Sequence, residues 1–132
     1  MILVDTSALI SFLKGRRTEA ALCLAQVLEK DIPFALTPIV VQETLQGARD
    51  EVEWRRLRLY LVSQEMLEPA NLLVAHARAA RLYFDCRRRG ATVRSSADCL
   101  IAEIALEHGA SLLHEDRDFD AIRRVRPLRT LP

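Results

Sequence analysis

The chain has 132 residues, half of them hydrophobic and 28% charged, with a formal net charge of +1. That length suits one compact domain and is too short for two separate cores, and the balance of apolar and charged residues excludes a disordered chain. No apolar run reaches the ~18 residues of a membrane span and no signal-peptide pattern opens the chain, so a cytoplasmic protein is expected.

In chain order, Ile2-Leu3-Val4 is a short apolar run suited to a buried strand, closed by Asp5-Thr6-Ser7. Thr6 or Ser7 is expected to cap a helix from Ala8 to about Lys14, ended by Gly15. Thr18 opens a second helix with Ala21, Leu24, Ala25 and Leu28 on its apolar face. Phe34-Ala35-Leu36 is a second strand, and Thr37-Pro38 reads as an N-cap with proline at the first helical position of a helix ending near Gly47.

Asp50 to about Gln64 forms a further helix with Trp54, Leu57 and Leu61 inward, followed by a short strand around Met66-Leu67. The longest helix runs from about Asn71 to Arg89 with a stripe of Leu73, Ala77, Ala80 and Phe84. Ser95-Ser96 opens a helix with Ala97, Leu100, Ile101, Ile104 and Ala105 on one face, ended by Gly109. A strand at Ser111–His114, a short helix from Phe119 to Arg124 and an edge strand at Leu128–Thr130 complete the chain. Short strands alternating with helices predict an α/β layer fold with a mainly parallel sheet. No repeat, low-complexity tract or linker divides residues 1–132.

Cys23, Cys86 and Cys99 are odd in number and widely spaced, which argues against a disulfide framework or a zinc site and for packing as small hydrophobes. Cationic charge is nearly all arginine, since Lys14 and Lys30 are the only lysines. Arginine suits phosphates or an acidic partner, although GC-rich codon bias gives the same imbalance.

Parallel sheets bind ligands beyond the carboxyl ends of their strands. Asp5 follows the first strand; Glu115, Asp116 and Asp118 follow the strand at Ser111–His114; Asp98 lies in a first helical turn and Glu43 inside a helix. Two like charges ~4 Å apart repel by ~4 kcal/mol at an effective dielectric near 20, so such a cluster needs a cation or a bound proton. All-oxygen ligands select hard ions, Mg²⁺ or Mn²⁺. Each acid also has a local structural reading. Asp98 stands three residues after Ser95, as in a capping box; Asp5 could cap a helix; Glu43 could face solvent; Asp116 and Asp118 suit a helix N-terminus.

Taken together the motifs resemble those of PIN-domain nucleases. Val4-Asp5-Thr6-Ser7-Ala8-Leu9 is similar to the family's opening motif, Pro38-Ile39-Val40-Val41-Gln42-Glu43 to its second, Asp98-Cys99-Leu100-Ile101-Ala102 to its D-x-L-I-A segment, and Asp116-Arg117-Asp118-Phe119 to its D-x-D-F segment. Order and spacing agree over essentially the whole chain, and its length resembles the VapC toxins. The resemblance implies a three-layer α/β/α sandwich, Mg²⁺- or Mn²⁺-dependent endonucleolytic cleavage of RNA (tRNA or rRNA), a homodimer, and inhibition by a VapB-type antitoxin. By position it implies Asp5, Asp98 and Asp116 as metal ligands and Glu43 as the fourth acid, orienting a water or binding a second ion. Ser7 and Ser96 would lend hydrogen-bonding support. Arg94, just before the helix of Asp98, is a candidate phosphate contact, while Arg87, Arg88 and Arg89 suit a helix C-terminus.

Asp116 leaves the strand near Asp5 and is expected to serve the metal, whereas Asp118, just before Phe119, is expected to cap the short helix. His76, His108 and His114 are read as structural. Phe12, Trp54, Tyr60 and Tyr83 suit core or dimer contacts rather than a base-stacking platform. A receiver-like domain would want a second acid beside Asp5 and a lysine after a late strand, and a haloacid-dehalogenase-type phosphatase would want an acid where Ser7 stands; neither pattern is present. The alternatives left open are a PIN nuclease of RNA processing that is no toxin, and a catalytically silent PIN binding module.

Overall fold

The computed structural model describes residues 1–132, in which five parallel strands form one sheet in the order β3-β2-β1-β4-β5. The strands are β1 (Ile2–Val4), β2 (Phe34–Leu36), β3 (Glu65–Met66), β4 (Ser111–Leu113) and β5 (Arg129–Leu131). Between them run α1 (Thr6–Leu13), α2 (Glu19–Glu29), α3 (Pro38–Leu45), α4 (Glu51–Val62), α5 (Leu72–Arg88), α6 (Ser96–Glu107) and α7 (Arg117–Arg123).

The handedness of parallel crossovers builds the layers. From β1 the chain steps outward through β2 to β3, so right-handed connections place α1 to α4 on one face. It then crosses back to β4 and on to β5, which puts α5, α6 and α7 on the other. The principal helix contacts fall into those two sets, α1 with α2 and α3, α3 with α4, and α5 with α6 and α7. The result is an α/β/α sandwich. The direction of winding reverses between β1 and β4, whose pairing runs Ile2–Ser111, Leu3–Leu112 and Val4–Leu113. A crevice opens beyond the carboxyl ends of strands at such a reversal.

Both strands are buried at Leu3, Val4, Leu112 and Leu113, and the core continues into Leu24, Leu36, Leu82, Ile101, Phe119 and Ile122. Cys86 and Cys99 are buried and Cys23 is half-buried, all as free thiols.

Three expectations are corrected. The outward stripe of α5 is the one predicted for the core: Ala75, Ala79, Leu82 and Cys86 are buried, whereas Leu73 and Phe84 are exposed. Alanines on two faces of the helix permit either register, and packing on α6 selects the one containing Leu82. Trp54 of α4 is exposed as well, leaving Leu61 as that helix's buried anchor. Thirdly, α1 starts at Thr6 with Asp5, not Thr6 or Ser7, as its N-cap. Thr37 does occupy the N-cap position of α3 before Pro38, but its side chain makes no capping bond. No helix is long and apolar enough to cross a membrane.

Candidate metal centre

A cleft of about 500 Å³ opens beyond β1 and β4, with Asp5, Glu43, Asp98, Glu115 and Asp116 on its walls. Four segments deliver these acids, as the strand ends predict.

Asp5 emerges from β1, its amide donating to the Leu113 carbonyl at 2.9 Å. One carboxylate oxygen, Oδ2, caps α1: it accepts from the Ser7 amide at 3.0 Å and from Ser7 Oγ at 2.5 Å. The other, Oδ1, is buried without a partner. Capping therefore occupies one oxygen of the side chain and leaves the other without a partner. Burial pushes the Asp5 carboxyl above its ordinary range, only partly offset by the bonds from Ser7. Ser7 Oγ also accepts from the Glu115 amide at 3.0 Å, which fastens the loop after β4 to the start of α1 across the winding reversal.

Asp98 sits in the first turn of α6 and is 6% exposed, with Oδ2 buried and partnerless. The capping box is not formed. The Ser95 amide, which such a box would direct to Asp98, donates instead to Asp118 Oδ2 at 3.0 Å. Asp98 is thereby released from capping, and its Oδ2 has no partner. Burial, a hydrogen bond to Asp118, and the charges of Asp5 and Asp116 push its pKa up to about 9.

The expected division between Asp116 and Asp118 is also corrected. Asp116 is the N-cap of α7, accepting from the Asp118 amide at 2.9 Å, while it also lines the cleft. Asp118 lies inside α7, 2% exposed, and accepts from the Arg94 and Ser95 amides, each at 3.0 Å. Its role is to hold the loop that launches α6. The helix begins two residues earlier than predicted because the Asp116 side chain reaches the Asp118 amide first. Burial raises the Asp118 carboxyl, but hydrogen bonds from Asp98 and those two amides outweigh it, and its pKa lies below the ordinary value. Oxygens of Asp98, Asp116 and Asp118 lie within 4.8 Å of one another.

Glu43 projects from α3 into the cleft rather than to solvent, held by a 2.8 Å bond donated by Thr6 Oγ1 to its Oε1. Arg94 is at the rim, 3.5 Å from both Asp116 and Asp118, with its side chain 70% exposed. Ser96 is not on the cleft wall: it lines an apolar groove with Ile39 and Leu100, and Ser95 takes the wall position. Spacing carried that signal, since Ser95 and Asp98 share a helix face at i, i+3. Ser11, Arg16 and Thr18, absent from the predicted site, also line the wall. Ser11 stands one turn beyond Ser7 on α1; Arg16 has no motif to announce it.

His114 is buried against Phe119, ring centroids 4.9 Å apart, and its Nδ1 accepts from the Asp116 amide at 3.2 Å. Burial holds its pKa below the ordinary value, so it is a neutral acceptor that positions Asp116. His76 and His108 bond backbone carbonyls of Leu72 and Glu68.

The partnerless oxygens of Asp5 and Asp98 test whether a divalent cation fits here. Buried carboxylate oxygens normally find donors, and an oxygen-only set offered by buried acids matches a hard ion. The residues present fit such an ion.

The comparisons agree with this geometry. The PIN domain family model matches residues 2–125. Ribonuclease VapC11 of Mycobacterium tuberculosis is 36% identical over 129 residues, covering 97% of this chain and 96% of its own. Among solved structures, VapBC-1 from nontypeable Haemophilus influenzae matches with a TM-score of 0.71 at 21% identity, covering 99% of this chain and 97% of that one. FitAcB from Neisseria gonorrhoeae matches with a TM-score of 0.69 at 18% identity, covering 100% and 97%. With its fold, its cleft acids and a relative of that identity over nearly its whole length, the chain belongs to the PIN-domain family and, within it, to the VapC ribonucleases.

Proposed function

We propose that the chain is a divalent-metal-dependent endoribonuclease, the toxin of a toxin–antitoxin pair, with residues 1–132 working as one PIN domain. The observation that carries the reading is the pair of buried, partnerless oxygens on Asp5 and Asp98 at the winding reversal of the sheet. Asp5, Asp98 and Asp116 would hold Mg²⁺ or Mn²⁺. A bound ion of this kind supplies charge that polarises a phosphodiester and acidifies an attacking water.

The remaining work falls to the protein. Ser7 fixes Asp5 through Oδ2 and leaves Oδ1 for the ion. Asp118 anchors the Arg94–Ser95 backbone and so sets the position of Asp98. Thr6 aims Glu43 into the cleft, where its carboxylate accepts a hydrogen bond from the attacking water. Arg94 tethers Asp116 and Asp118 and offers its exposed face to RNA. Asp98 would give up the proton it holds on binding a divalent ion, so the site's affinity for that ion would rise with pH.

The solved structures similar to this chain include toxin–antitoxin complexes, which supports a VapB-type antitoxin as partner, and a second copy of the chain is proposed as another. Two exposed apolar grooves are available to them. One, about 730 Å³, lies between α1, α2 and α4 around Phe12, Leu57 and Tyr60. The other, about 420 Å³, lies between α3, α5 and α6 around Ile39, Ala80 and Leu100. Small alanines along α5 allow close approach of a twofold-related helix, so the second groove is assigned to the homodimer.

Cleavage of end-labelled single-stranded RNA by the purified, antitoxin-free protein tests the activity. Internal cuts are expected with the wild type and none with Asp5→Asn; exclusively terminal cuts, or equal cutting by the variant, would overturn it.

A further inference from the structure

We infer that Arg16 is a substrate-binding residue that takes an RNA phosphate beside the scissile one. This rests on the nuclease reading above and adds to it a phosphate contact inside the cleft.

The cleft walls carry five carboxylic acids, Asp5, Glu43, Asp98, Glu115 and Asp116, and a single basic side chain, Arg16. An anionic strand must enter a cavity of this charge. A divalent ion offsets the acids at the reacting phosphate only; a neighbouring phosphate needs its own cation. The chain's backbone places one there. Gly15 adopts φ +69, a left-handed conformation that side chains disfavour, and so ends α1 by turning the chain back. The Arg16 amide then donates to the Ser11 carbonyl at 2.9 Å, which seats Arg16 beside a buried serine of the cleft wall. Thr18, also on the wall, fixes the other end of the turn by capping α2 through a 3.1 Å bond from the Ala21 amide.

Arg16 is also uncommitted. It forms no ion pair and no side-chain hydrogen bond, and it is exposed. Arg94, the other arginine near the acids, is engaged with Asp116 and Asp118 and lies outside the wall. Arg49, Arg55, Arg81 and Arg126 are likewise paired with acids. A guanidinium on a short, anchored turn, with its donors free and facing an anion's path, has the planar geometry that binds phosphate bidentately.

The test is steady-state cleavage of a fluorescent single-stranded RNA in Mn²⁺ over a series of KCl concentrations, for wild type, Arg16→Ala and Arg16→Lys. Arg16→Ala is expected to raise KM about tenfold or more, as for loss of a charge-assisted hydrogen bond, with little change in kcat. The slope of log KM against log [KCl] should fall by roughly 0.7, the value for one lost single-strand phosphate contact. Arg16→Lys should restore the slope because it keeps the charge. The Mn²⁺ concentration for half-maximal activity and the melting temperature should not weaken in either variant. An unchanged KM and slope in Arg16→Ala, beside an active wild type, would overturn the inference and leave the nuclease reading intact. A wild type that fails to cleave RNA in Mn²⁺ would instead overturn that reading, and this inference with it.

Discussion

Asp98 and Asp118 share a hydrogen bond in which Asp98 holds the proton, its pKa pushed up to about 9 by burial and by the Asp118 carboxylate, which itself sits below the ordinary range. The two acids come from different helices, α6 and α7, and their contact links the two helices. One serves the cleft, the other the scaffold. The asymmetry comes from the Arg94 and Ser95 amides, which both donate to Asp118 and stabilise its charge.

A raised folded-state pKa has a definite consequence for stability. Asp98 is protonated in both folded and unfolded chains below pH about 4, whereas between about 4 and 9 the metal-free fold must keep a proton that the unfolded chain releases. Its contribution is therefore present at low pH and lost as pH rises towards 9. Asp98→Asn removes that dependence. In EDTA, its melting temperature should exceed the wild type's by a margin that grows from pH 5 to pH 8. A margin constant or shrinking with pH would contradict the assignment. Saturating Mn²⁺ should raise the wild type and leave Asp98→Asn nearly unmoved.

Asp116 and Asp118 are separable by substitution. Asparagine is as good an N-cap as aspartate, so Asp116→Asn should melt within about 0.5 kcal/mol of wild type yet cleave RNA much more slowly. Asp118→Ala strips the Arg94 and Ser95 amides of their buried acceptor and should cost about 2 kcal/mol or more. Because the same amides position Asp98, its Mn²⁺ affinity should fall too. Urea melts and calorimetric Mn²⁺ titrations of both variants decide the matter; a stable Asp118→Ala with normal Mn²⁺ affinity would contradict its anchoring role.

Much of this is legible in the amino-acid sequence. Runs such as Ile2-Leu3-Val4 and Phe34-Ala35-Leu36 are strands because every residue is apolar and a polar cap follows, and acids beyond such strand ends can be delivered to one sheet edge. Less legible were features set by competition for the same amide. Local spacing made Asp98 a cap partner for Ser95 and Asp118 the cap of α7; tertiary approach of α7 to the loop before α6 gave the Ser95 amide to Asp118 and the cap to Asp116. The α5 register is equally ambiguous in the sequence. Leu73, Ala77, Ala80 and Phe84 form as regular a stripe as Ala75, Ala79, Leu82 and Cys86, and periodicity alone cannot rank two apolar faces. The surplus stripe is what a second subunit would cover.

That surplus gives a prediction about assembly. Ala80 is exposed and lines the groove between α3, α5 and α6. On the proposed homodimer, the wild type should sediment as a dimer and Ala80→Glu as a monomer in sedimentation velocity runs, without a lower urea midpoint of the fold. A variant that sediments as a dimer would exclude this face, and a monomeric wild type would exclude the homodimer.

Cleavage of RNA in the presence and absence of a divalent ion bears most directly on the carboxylate centre. Antitoxin-free protein should lose all cleavage in excess EDTA and regain it on addition of Mg²⁺ or Mn²⁺, while Asp5→Asn and Asp98→Asn remain folded and inactive throughout. Undiminished cleavage in excess EDTA, or full activity in either variant, would contradict it.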